Sequence, residues 1–175
     1  MTDDKPDSTP KPSSGFDALD GIDDARNIQV RDKTTLDKLL EIESHLSAVR
    51  DELLAEIDEH PVDKQAAKIT DQDFRRSLYN RLRINELTNI EFNENDLTEF
   101  IYAKLNSDNG NNQRLLGMYT GILLQLLTER NLSQGKRTRY HIDGKRGYFP
   151  YLFAYANIVD ELTVENFRGD RICFN

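Results

Sequence analysis

The sequence predicts a mainly helical α+β protein. It combines a long amphipathic N-terminal helix, three further helices forming a core, and a small antiparallel β element of two hairpins at the C-terminus. Three observations predict this. Leucines recur every seven residues from Leu39 to Leu53. Apolar residues cover most of the circumference of the stretch Leu115 to Leu127. After Gly135 the apolar period shortens to two, around an Asp143-Gly144 pair.

Residues 1–33 are rich in Asp, Ser, Pro and Lys, with Phe16, Leu19 and Ile22 the only large apolar side chains before Ile28. Such a segment buries too little surface to offset its ordering entropy, so it is expected to be a disordered acidic tail. From Thr34 the pattern changes. Thr34 and Asp37 have capping-box spacing, good helix formers follow, and Pro61 ends the run. Leu39, Leu46 and Leu53 alternate with Ile42 and Val49 in an a/d seam. Leu36, Leu40, Leu54 and Ile57 widen that stripe. A wide stripe suits packing against the protein's own helices as well as a two-stranded coiled coil, and both remain open.

Residues 63–134 are expected to form the helical core. A second helix begins near Thr70 or Asp71, with Phe74, Leu78, Leu82 and Ile84 on its apolar side. Asn95 or Asp96 opens a third, carrying Leu97, Phe100, Ile101 and Leu105. A fourth runs from Asn112 to about Arg130, and a helix apolar on nearly all sides belongs at the centre of a core. Gly117 and Gly121, four apart, admit a close backbone, expected to be that of another helix.

Residues 135–175 form the β-rich end. Asp143-Gly144 is a strong signal for a two-residue type I′ hairpin. Alternation then puts Arg137, Arg139, His141, Arg146 and Tyr148 on one face, and Thr138, Tyr140, Ile142 and Phe149 on the other. From Lys136 to Arg146 there are five Lys or Arg against one Asp. Phe149 to Ala156 is apolar on both faces and is expected to be buried. A second hairpin is predicted around Gly169-Asp170, with Leu162 and Val164 on one face and Thr163, Glu165 and Phe167 on the other. The last strand leaves a pairing edge exposed unless the helices or another subunit cover it. Residues 159–175 also resemble one rung of a repetitive β structure, which a single copy does not establish.

Composition narrows the function. The 175 residues fit one domain plus a tail, or two very small domains. A net charge of −8 and a pI near 4.9 argue against general coating of nucleic acid. The single cysteine, Cys173, forms no internal disulfide and is expected as a small buried hydrophobe. The N-terminal ten residues have no apolar core of a secretory signal, and Leu115–Leu127 is too short to cross a bilayer. The cytoplasm is the default placement. His45, His60 and His141 have no partner at metal-ligand spacing, and no nucleophile or phosphate-loop motif is present. No cofactor, metal or membrane partner is expected.

The sequence therefore favours a non-catalytic interaction or assembly protein. Its 34–60 helix would pair with itself or another protein through Leu39, Ile42, Leu46, Val49 and Leu53, and the C-terminal strand edge would add a contact. The alternative is nucleic-acid or phosphorylated-ligand binding through Arg137, Arg139, His141, Arg146 and Tyr148, where guanidinium groups hold phosphates and the tyrosine stacks. A third class, an enzyme with a site between helices and sheet, needs a pocket of residues with perturbed pKa values.

Overall fold

Thr34 starts the first helix as its spacing predicts. Its hydroxyl accepts the Asp37 N–H at 3.1 Å, and the Asp37 carboxylate accepts the Thr34 N–H at 2.9 Å. The computed structural model describes residues 31–59, 71–107 and 110–174. Most of the expected acidic tail and the 61–69 linker lie outside them. The described helices are α1 (Thr35–Glu59), α2 (Asp71–Arg81), α3 (Glu94–Lys104) and α4 (Gln113–Ser133). Two strands follow, β1 (Arg139–Asp143) and β2 (Glu161–Glu165). Residues from Lys33 onward form one unit.

The α1 seam is spent inside the chain. Leu39, Ile42, Leu46 and Leu53 are buried in the same cluster as Leu78, Phe100, Tyr119 and Leu123, and Val49 is half-buried against it. The Tyr119 hydroxyl reaches the Leu39 carbonyl at 3.3 Å. A Lys104–Glu43 ion pair at 2.6 Å, with both side chains mostly shielded, ties α1 to α3.

α2 runs into a π-helical turn, Leu82–Glu86. The wider turn keeps Leu82 buried but leaves Ile84 two-thirds exposed, so Ile84 leaves the apolar face expected of it. The cap of α3 also differs from expectation. Asn93 is extended, and its side chain accepts from the N–H groups of Asn95 (2.8 Å) and Asp96 (3.3 Å). The Asp96 carboxylate accepts the Asn93 N–H in return, at 2.9 Å. Asn93→Ala removes this box and is expected to cost about 1 kcal/mol in a denaturant titration.

α4 is the centre of the molecule. Every residue from Leu115 to Thr128 is buried. Its two glycines admit a close backbone, but not that of a helix. A Cβ at Gly117 would overlap the Tyr151 carbonyl oxygen, and one at Gly121 would overlap that of Ala154. The aromatic segment 150–156 therefore lies along the notched face of α4 as a series of turns, not a strand. Its buried polar groups are satisfied locally. Thr120 Oγ1 accepts the Phe153 N–H at 3.0 Å, and Gln125 Oε1 accepts that of Asn157 at 3.1 Å.

The sheet corrects the expected topology. β1 pairs with β2, and the pairing is parallel, with Arg139 opposite Glu161 and Asp143 opposite Glu165. Among the described residues neither antiparallel hairpin is present. The type I′ geometry predicted at Asp143-Gly144 occurs two residues later. Lys145 and Arg146 hold the positive φ angles, 47° and 63°, and the Gly147 N–H closes the turn on the Gly144 carbonyl at 2.7 Å. Gly144 is free for another use, since the Phe167 ring sits where its Cβ would be. The displaced turn makes a corner, and the chain continues round rather than back.

Candidate functional site

The result of that corner is a coil of two stacked turns. The first runs from β1 through the 145–146 corner and the aromatic segment, and the second from β2 to the C-terminal residues. Contact between them persists around the circuit. The Phe149 N–H donates to the Arg168 carbonyl, that of Tyr151 to Asp170, and that of Cys173 to Leu152, each at 2.8 Å. The Tyr155 N–H reaches the Phe174 carbonyl at 2.7 Å. An isolated parallel bridge joins Tyr148 and Arg168.

The helices close the other side of the first turn. The Tyr102 hydroxyl donates to the Asp143 carbonyl at 2.9 Å, and Asn106 exchanges hydrogen bonds with Tyr148 at 3.0 and 2.8 Å. Among the described residues the second turn has a strand neighbour on one side only, β2 pairing with β1 alone. The Glu161 N–H points to β1, donating to the Thr138 carbonyl, and the Glu165 carbonyl accepts from Gly144. Backbone direction alternates along a strand, so the N–H and C=O groups of Leu162 and Val164 face away from β1. Tyr140 and Ile142 in the first turn are buried, whereas Leu162, Val164, Phe167 and Ile172 in the second are only half-buried. Parallel strands ordinarily lie within a sheet, covered on both sides.

The sequence-predicted binding residues are distributed as follows. Arg137, Arg139, His141, Arg146 and Tyr148 are all exposed, and the expected alternation with buried Thr138, Tyr140 and Ile142 is present. They do not form one free cationic face. Arg139 pairs with Glu161 at 3.2 Å, and His141 Nε2 lies 3.1 Å from Glu165 Oε2. Arg146 is at the corner, its carbonyl accepting from Arg168 Nε at 2.6 Å. Cys173 is exposed rather than buried, and Phe167 turns inward against the first turn rather than outward with Thr163.

Asp143 fastens the two turns at the corner. Its carboxylate accepts the Lys145 N–H at 2.9 Å and the Asn166 side-chain amide at 3.0 Å. These bonds, the first above all, hold its carboxyl below the usual carboxylate range. A depressed pKa favours the folded state above the unfolded value, and the contribution is lost as pH falls through the folded one. An NMR titration is expected to place the Asp143 midpoint below that of an ordinary aspartate. Asn166→Ala is expected to move it upward.

The described surface also has a cleft of about 440 Å³ between α2 and α4. Met118 and Ile122 form its floor, Tyr79 and Tyr155 its walls, and Arg76 lies at its side. The Arg75 guanidinium stacks 4.0 Å above the Tyr155 ring. Burial, reinforced by Glu129, pushes the Tyr79 hydroxyl up to about 12. It therefore stays protonated at neutral pH and donates to Glu129 at 2.7 Å. The bond ties α2 to α4.

A scan against protein-family models finds no match to this chain, and searches of curated proteins and of solved structures find none. No helix among the described residues is long and apolar enough to cross a membrane.

Proposed function

We propose that this is a non-catalytic interaction protein that takes an extended strand of a partner onto the uncovered side of its C-terminal coil. The observation that carries this is the outer edge of β2. Among the described residues it offers a backbone row with no strand partner, beside four half-buried apolar side chains. Strand addition uses both: main-chain hydrogen bonds supply affinity, and alternate side chains enter the apolar surface. The interaction is assigned to this edge and not to α1, because the α1 seam is buried against the protein's own helices. The basic face is not preferred, because Arg139 and His141 lie against carboxylates.

A panel of peptides with alternating apolar and polar residues tests this by amide exchange. Binding peptides are expected to slow exchange at Leu162 and Val164. Val164→Pro removes one outward N–H and spares the ladder to β1, since edge positions tolerate proline. It is expected to abolish that effect while the fold persists. If no peptide alters these amides, the proposal is wrong.

A further inference from the structure

Charge on the outward side of β2 identifies the chemistry of the strand that fits. Glu161 and Glu165 point away from the core, on either side of Thr163. On the β1 side each already has a partner, the Arg139 guanidinium for Glu161 and the His141 ring for Glu165. Yet their side chains remain 65% and 54% exposed. A carboxylate accepts at several lone-pair positions, so each retains capacity on its free side. Cross-strand pairs of opposite charge favour association, and like charges directly opposed disfavour it.

A second copy of the same edge fits poorly. Two β2 strands paired antiparallel about Thr163 would place Glu161 of each opposite Glu165 of the other, giving two repulsive pairs. A strand with apolar residues facing inward and cations facing outward has the opposite property. It would continue the pattern that β1 presents from the other side, where Tyr140 and Ile142 lie inward and Arg139 and His141 outward.

We infer that the edge selects a partner protein's extended segment in which arginine or lysine alternates with apolar residues, the cations lying beside Glu161 and Glu165. This rests on the strand-addition reading above and specifies its partner. Selectivity comes from the two carboxylates, and register from Leu162, Val164 and the inward residues of the incoming strand. Because the carboxylates are exposed, salt weakens the preference.

Two synthetic peptides test the inference on the full chain. Both carry tyrosine and isoleucine at the inward positions; one has arginine and the other glutamate at the three outward positions. The arginine peptide is expected to bind at least tenfold more tightly at low salt and to slow exchange at Leu162 and Val164. The double variant Glu161→Lys, Glu165→Lys is expected to reverse the preference, and Glu161→Gln with Glu165→Gln to abolish it. Unchanged melting of the Gln variant separates this from unfolding. Equal binding of both peptides, with both amides protected, would overturn the charge selection and leave strand addition standing. Arginine-peptide binding that ignores the two glutamates and leaves both amides unprotected would overturn the inference, as would binding of neither peptide. Self-association that protects these amides and excludes the peptides would make a second copy the occupant, and would overturn it too.

Discussion

Gly121→Ala is expected to destabilise the protein by about 3 kcal/mol, at the upper end of what an overpacked core costs. This runs against helix propensity, which favours alanine over glycine by about 1 kcal/mol inside a helix. The reason is the backbone that crosses this position. The new Cβ would overlap the Ala154 carbonyl oxygen, a main-chain atom with no rotamer to change. Ala154 is held on both sides, by the Phe153 N–H bonded to Thr120 and the Asn157 N–H bonded to Gln125. Gly117→Ala meets the Tyr151 backbone in the same way. Each variant is expected to lower the denaturant midpoint and speed exchange at Phe153 and Asn157. Leu132→Ala, at an exposed position of the same helix, is expected to stay within about 0.5 kcal/mol of the parent.

Leu39→Ala is the second large effect, at about 2–5 kcal/mol for a buried leucine whose neighbours cannot fully close the space. Leu39 is fully buried and its carbonyl receives the Tyr119 hydroxyl. The loss is expected to be the same across a tenfold range of protein concentration, because the seam closes within one chain. For the same reason Leu46→Glu with Leu53→Glu is expected to unfold the helical core by burying charge, rather than to release a folded monomer. A folded variant with halved solution mass would instead place the seam between chains.

The helices were legible because their signals are local and redundant. The α1 heptad, the Thr34–Asp37 box and the all-round apolar surface of α4 each specify a helix without reference to the rest of the chain. Alternation also gave the correct exposed and buried sides of residues 137–142. What sequence could not fix was the partner of each strand. Asp143-Gly144 promised a hairpin, yet the left-handed residues are Lys145 and Arg146, and tertiary packing of Phe167 over Gly144 decided the matter. One neglected signal pointed the right way. Leu162, Phe167 and Ile172 recur every five residues, a period belonging to neither helix nor flat strand, and all three pack half-buried against the core. Tyr140 lies opposite Leu162 and Ile142 opposite Val164, and the Arg-Gly pair at 146–147 recurs at 168–169, so the two turns carry a matching pattern too short to be read as a repeat from the sequence.

The candidate site was less legible than the fold. Arg139 and His141 are prominent in the sequence as part of a basic stretch, but their meaning depends on Glu161 and Glu165, more than twenty residues away in the chain. Parallel pairing brings them together, and no local pattern announces it.

The most direct test of the account is residue-resolved amide exchange across β2 in the free protein. Thr163 is expected to be protected by β1, and Leu162 and Val164 to exchange rapidly from an open edge. Equal protection of all three at low protein concentration would mean that the edge is already covered, and would contradict the account.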